Sequence, residues 1–130
     1  MIDTNLWIRA LISAETRQRL EKIIGNPAIE IFGNQQLIEE IRDVAARPRL
    51  QKFLSSSDVE SFLQILLFRF EMVSPFTEIK ACRDPKDDFL LSICHDFEIN
   101  YLLTEDEDLL VLHPFGSTQI VRLFDFESNQ

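Results

Sequence analysis

Glycine is scarce in this chain, with three in 130 residues, at positions 25, 33 and 116. Those positions accommodate neither a G-x-x-x-x-G-K-[ST] phosphate loop nor a G-x-G-x-x-G dinucleotide turn. Histidine is scarcer still. His95 and His113 stand alone, so there is no H-x-x-x-H zinc helix. Cys82 and Cys94 form no C-x-x-C pair and read as reduced cytosolic thiols rather than a disulfide framework or a zinc site. An EF-hand loop starting at Asp84 would need Gly at its sixth position and Glu at its twelfth, where the chain has Phe89 and His95. A serine triad lacks its nucleophile elbow. No apolar run approaches the ~20 residues of a membrane span. With no charged-then-apolar leader visible, a soluble cytoplasmic protein without a membrane partner is expected.

Positive charge is also in short supply. The net charge is −9 and it is unevenly placed. Residues 1–52 carry eight Lys/Arg against seven Asp/Glu, while residues 53–130 carry five against fifteen. So acidic a chain is a poor non-specific nucleic-acid binder unless metal ions neutralise part of the acid. The basic residues do include one run, Arg42, Arg47, Arg49 and Lys52, which reads either as an RNA-phosphate contact or as an ordinary solvated helix face. What is abundant is apolar side chain, 45% of the total, enough for one domain over residues 1–130 with its own core. The lone Trp7 and the phenylalanines fall at core-like spacing.

The periodicities alternate between strand and helix. "MID" is the stub of a strand and "NLWIRALIS" a helix. "AETRQRLEKIIGN" is a clearer helix with a stop signal at Gly25-Asn26-Pro27. "AIEIF" alternates like a strand. "NQQLIEEIRDVAA" opens on an Asn34 N-cap and puts Leu37, Ile41, Val44 and Ala45 on one face. "RPRLQKFL" connects, with room for a short helix. "SSSDVESFLQILLFRF" shows a capping box at Ser57 and Glu60. "EMVSP" is a short strand. "RDPKDDFLLSICHDF" is a helix with Asp84 at the N-cap and Pro85 at its first position. "INYLLT" is a strand, "EDEDLLVL" a short helix and "TQIVRLF" a last strand before a polar tail. Such alternation predicts an α/β fold: a central, mainly parallel sheet between helical layers, a three-layer α/β/α sandwich.

In open parallel sheets, ligands gather at the carboxyl ends of the strands. Asp3 ends the first strand, residues 104–108 follow "INYLLT", and acids at 84, 87 and 88 open the preceding helix. Three acidic groups from distant parts of the chain are thus expected at one rim. Each also has a structural reading. Asp84 caps a helix, worth ~1 kcal/mol, and Asp87 and Asp88 suit the positive end of the helix dipole. Thr104 and Glu107 fit a T-x-x-E capping box, which leaves Asp106 and Asp108 unexplained. Asp3 in "DTN" is a helix cap or a site residue. Glu39 lies among polar neighbours and reads as a surface charge. Glu40 lies on the edge of the apolar stripe, where a salt bridge or a metal ion would satisfy it.

Together "DTN", "LIEEIRDVAARPRL", "RDPKDDFLLSIC" and "YLLTEDEDLL", in this order and at these separations, resemble a PIN domain. The likeness is nearest to the PIN-family ribonucleases that act as toxins of toxin–antitoxin pairs. The resemblance implies a PIN-like fold over nearly the whole chain and a cluster of carboxylates that binds Mg²⁺ or Mn²⁺ to hydrolyse RNA phosphodiester bonds. By position, the catalytic acids would be Asp3, Glu40, Asp87 and Asp106. Asp3, Asp87 and Asp106 would be the main metal ligands with Asp108 in support, and Asp88 and Asp84 compete with Asp87 for the third place. Thr4, Asn5 and Thr104 match polar positions that flank the site. The chain departs from the family pattern twice: only Met1 and Ile2 precede Asp3, and Glu105 stands where a small residue is usual. Oxygen ligands favour Mg²⁺ or Mn²⁺ over zinc. A small antitoxin protein and a homodimer are further implications.

Two other functions compete. A catalytically inactive PIN fold would serve as a protein-binding module. A response-regulator receiver domain would need an acidic pair after the first strand and a lysine after the last, but the chain offers "DTN" and no lysine beyond Lys86.

Overall fold

The computed structural model describes residues 1–129. The chain divides into two compact units, one of Met1–Asn5 with Val73–Gln130 and one of Leu6–Met72.

The helices of the second unit start where local hydrogen bonding favours them. Helix α1 (Thr4–Ile12) contributes all but its first two residues to this unit. Helix α2 (Ala14–Ile24) is capped by Ser13, whose Oγ accepts from the Thr16 N–H at 3.3 Å. Strand β1 (Phe32–Gly33) leads to α3 (Gln35–Ala45), where Asn34 caps as expected, its Oδ1 accepting from the Leu37 N–H at 2.9 Å. The connector holds a short helix, α4 (Pro48–Gln51), before α5 (Ser56–Arg69) and strand β2 (Glu71–Met72). Strands β1 and β2 pair in parallel, Phe32 opposite Glu71 and Gly33 opposite Met72. Leu37, Ile38 and Ile41 of α3 and Leu63 and Leu66 of α5 form the core with Trp7. The Trp7 ring lies 6.0 Å from that of Phe62 and 5.7 Å from that of Phe70. A Cβ on Gly33 would stand 2.2 Å from the Phe70 ring, so this position is closed to any side chain.

Two expectations change here. The "AIEIF" strand shrinks to its last residue plus Gly33. Next to it Arg69, at the end of α5, donates to the carbonyls of Ile24 (2.7 Å), Asn26 (3.0 Å) and Ile29 (2.5 Å). Of these, Ile29 lies within the expected strand, and its carbonyl is committed to the guanidinium fork. The capping box also moves: Ser55, not Ser57, caps α5 by accepting from the Asp58 N–H at 3.0 Å. Glu60 is free of that role and pairs with Arg42 at 2.8 Å.

In the first unit, a 3₁₀ turn (Pro85–Asp87) runs into α6 (Asp88–Asp96). Strand β3 (Tyr101–Leu103), helix α7 (Glu107–Leu110), strand β4 (Gln119–Val121) and helix α8 (Leu123–Ser128) follow. The tail expected to be merely polar is therefore helical at its start, because Leu123 and Phe126 are buried on one face. Strands β3 and β4 pair in parallel with Leu102 opposite Ile120. On the other side of β3, the "MID" stub makes a parallel bridge from Ile2 to Leu103, with Leu103 N–H donating to Met1 O and Asp3 N–H to Leu103 O, each at 2.9 Å. Buried Leu90, Leu91 and Ile93 of α6 join Leu102, Leu103 and Ile120 in the core.

The chain is α/β, as expected, with helices and short parallel strands. Among the described residues the strands make two small two-stranded sheets. No helix is long and apolar enough to cross a membrane.

Arg69→Ala leaves three carbonyls without their charged donor. It is expected to cost about 2 kcal/mol, at the scale of hydrogen bonds to charged groups, read as a lower urea midpoint. Arg69→Lys recovers part of the loss, because one ammonium cannot reproduce the fork.

Candidate functional site

The parallel pairing in the first unit aligns the carboxyl ends of three chain segments. Asp3 follows Ile2, Thr104 follows Leu103 and Arg122 follows Val121. Asp3 is buried, only 3% exposed, and its Oδ2 accepts from the Thr104 hydroxyl at 2.8 Å. The same hydroxyl oxygen accepts from the Asp106 N–H at 3.0 Å. One buried threonine thus ties the first carboxylate to the loop that carries Asp106. The expected Thr104–Glu107 capping box is accordingly replaced. Asp106 itself caps α7, its Oδ1 accepting from the Asp108 N–H at 2.9 Å.

The four acids of "TEDED" have separate fates. Glu105 accepts from the Leu123 N–H at 3.2 Å and lies 3.8 Å from Arg122. Glu107 pairs closely with the other arm of Arg122. Asp108 lies 3.7 Å from the exposed guanidinium of Arg83, a contact worth little in solvent. The Asp106 carboxylate accepts from the backbone of its own loop, and its charge is felt by Asp87.

The acids before α6 divide in the same way. Asp84 does cap: its Oδ1 accepts from the Lys86 N–H at 3.1 Å. Asp88 accepts from the N–H groups of Cys82 (2.8 Å) and Ala81 (3.2 Å), and these bonds hold its carboxyl below the usual range. That carboxylate is committed to the loop it anchors. Asp87 is different. Partial burial, followed by the charges of Asp3, Asp84 and Asp106, pushes its carboxyl up to about 6. Burial and the charges of Asp88, Asp87 and Asp106 likewise push the nearby Cys82 thiol up to about 12, which makes it a poor nucleophile at neutral pH.

Asp3, Asp87 and Asp106 therefore share one field of like charge. Among the described residues, however, no three Asp, Glu, His or Cys side chains are gathered in a group able to hold an ion as they stand. The donors suit a hard divalent cation in kind: they are all oxygens, and the repulsion that raises Asp87 is what a cation relieves. Thr4, next to Asp3, has a buried hydroxyl without a hydrogen-bond partner among the described residues, a further oxygen beside the acids. Asn5 is exposed in the first turn of α1.

The remaining candidates belong to the second unit. Glu40 is half-buried on α3 and Glu39 exposed, as the pattern predicts. Arg42 is taken by Glu60, while Arg47, Arg49 and Lys52 are exposed on and around α4. The residue that sequence reasoning missed is Arg122. Its partnership with Glu105 and Glu107 depends on the β3–β4 register, which leaves no local signal.

The raised carboxyl of Asp87 has a defined consequence for stability. The folded form holds its proton up to about pH 6, against about 3.8 for the ordinary group. Between those values the native state binds more protons than the unfolded state, so this group costs stability as pH rises. The cost is absent below pH 4 and complete above pH 6. In EDTA, Asp87→Asn is expected to raise Tm at pH 7 relative to the unmodified chain and to leave it nearly unchanged at pH 4. Equal shifts at both values would show that burial and the neighbouring acids do not raise this carboxyl.

The sequence model of one family, described as the PIN domain, matches residues 1–108. No curated protein and no solved structure matches the chain. The matched stretch includes Asp3, Glu40, Asp87 and Asp106 and stops before β4 and α8. With most of its length inside that match, the chain belongs to the PIN domain family.

Proposed function

We propose that the protein is an endoribonuclease dependent on Mg²⁺ or Mn²⁺ and the toxin of a toxin–antitoxin pair, acting in the cytoplasm. PIN domains are generally nucleases. The observation that carries the reading to this chain is the buried Asp3 carboxylate, tied by the Thr104 hydroxyl to the loop that carries Asp106; beside them the carboxyl of Asp87 is raised by burial and then by the charges of Asp3, Asp84 and Asp106. Asp3, Asp87 and Asp106 would hold the ion, with Asp108 and the Thr4 hydroxyl beside them. When bound, the cation offsets the acids' repulsion and polarises the scissile phosphodiester and the attacking water.

The chain's own residues do the rest. Thr104 holds Asp3 in place and fixes the Asp106 backbone. Asp84 and Asp88 shape the turn that presents Asp87. Arg47, Arg49 and Lys52 are the exposed cations for RNA phosphates, since Arg42 is committed to Glu60. Glu40 is a separate candidate and is tested alone as Glu40→Gln. A three-layer α/β/α sandwich forming one domain over residues 1–130, a small antitoxin partner and a homodimer belong to the same proposal.

The absence of a ready-made group of three ligands among the described residues favours a second reading, a catalytically inactive PIN fold that binds another protein. Mn²⁺ separates the two. A metal-dependent nuclease gains Tm on adding Mn²⁺, gains less as Asp106→Asn, and cleaves single-stranded RNA. Asp3→Asn should lower cleavage by about 100-fold or more, the scale of losing one preorganised electrostatic group. No Mn²⁺ binding and no cleavage would identify the binding module. The toxin assignment is checked by induced expression, which should arrest growth for the unmodified chain but not for Asp3→Asn.

A further inference from the structure

We infer that Arg122 is a positioning residue for the acidic site: it draws Glu105 and Glu107 to one side of the 104–108 loop and so leaves Asp106 to the ion. The inference rests on the metal-site reading above and concerns Arg122, which lies outside the stretch that the family model matches, residues 1–108.

The geometry is specific. Arg122 follows β4 and begins α8 as its N-cap. The parallel register of β4 on β3 sets Val121 opposite Leu103, one residue before Thr104. The Thr104 N–H continues the ladder by donating to Val121 O at 3.1 Å. Arg122 therefore faces the acidic loop from the next strand. One guanidinium nitrogen pairs closely with Glu107, and the other lies 3.8 Å from Glu105. The Leu123 N–H adds a second hold on Glu105 at 3.2 Å.

A cation with two fixed forks suits two carboxylates better than a point charge does. Glu105 and Glu107 are the residues on either side of Asp106. Holding both fixes the backbone between them, and Thr104 holds the Asp106 N–H. Without Arg122, two further negative charges in the loop would be free to swing toward the same ion or to displace Asp106. Arg122 touches neither metal nor substrate in this role, and it acts only through its two glutamates.

Coulomb's law and positioning predict opposite signs for the loss of Arg122. Removing a positive charge beside a cation site tightens cation binding if charge alone matters. If Arg122 positions the loop, its removal weakens binding, by about 10-fold or more, the usual penalty for losing a group that orients a metal ligand.

The test is Mn²⁺ titration calorimetry on the full-length chain, unmodified and as Arg122→Gln and Arg122→Lys, with Tm in EDTA as the measure of fold. Expected are about 10-fold weaker Mn²⁺ binding for Arg122→Gln and an intermediate loss for Arg122→Lys, which keeps the charge but not the fork. A purely structural role would lower Tm in EDTA and leave the Mn²⁺ affinity of the folded protein unchanged. Unchanged or tighter binding in the folded variants overturns the inference and leaves the metal site standing. No Mn²⁺ binding by the unmodified chain overturns both. If Arg122→Gln does not fold, Arg122→Lys decides alone by the same criteria.

Discussion

The hydroxyl of Thr104 is the pivot of the acidic site. It donates to Asp3 and accepts from the Asp106 N–H, so two carboxylate-bearing segments about a hundred residues apart are joined by one buried oxygen. A hydroxyl can do both at once because it carries one donor and two acceptor positions. Burial raises the stakes, since a half-satisfied hydroxyl or carboxylate there would cost more than the bond contributes in water. The backbone ladder supplies the precondition. The Met1–Asp3 stub and β4 flank β3, and Asp3 and Thr104 emerge side by side only in that register.

Around this pivot, like charges are sorted rather than simply accumulated. Glu105 and Glu107 go to Arg122, Asp84 and Asp88 go to backbone N–H groups, and Asp108 faces Arg83. Each of these carboxylates has a cation or donors beside it, the exposed Arg83 being the weakest of them. The charged form of Asp87 is disfavoured, and the causes after burial are the charges of Asp3, Asp84 and Asp106. Structural acids are thus distinguished from candidate ligands by environment and not by residue type. That is why counting the acids in "TEDED" or "DPKDD" does not identify a site.

The same distinction decides what was legible in the sequence. Features set by near neighbours could be read directly: the Asn34 and Asp84 caps and the amphipathic face of α3. The strand-end rule correctly brought Asp3 to the loop after "INYLLT", because parallel pairing aligns carboxyl ends whatever the side chains are. Features set by distant partners were not legible. Arg69 binds the carbonyls of Asn26 and Ile29, at the start of the "AIEIF" stretch, from forty residues or more away in sequence. Thr104 had the pattern of a cap, but the buried Asp3 carboxylate claims its hydroxyl, and Asp106 takes over the cap. Arg122 carried no signal in the sequence, because only the β3–β4 register sets it opposite the acids.

That last residue also bears on where the functional unit ends. The family match closes at Asp108, yet β3 has one ladder partner inside the match, the stub at Ile2, and the other outside it, β4. Thr104 receives its ladder acceptor from Val121, and the two glutamates beside Asp106 receive their cation from Arg122. A chain cut at residue 108 would keep every carboxylate of the matched stretch but lose the strand that fixes Thr104 and the charge that offsets Glu105 and Glu107. Repulsion would then have no opponent within the loop, and the acids would be free to separate. The recognisable motif holds the chemistry, but its geometry depends on the segment after it.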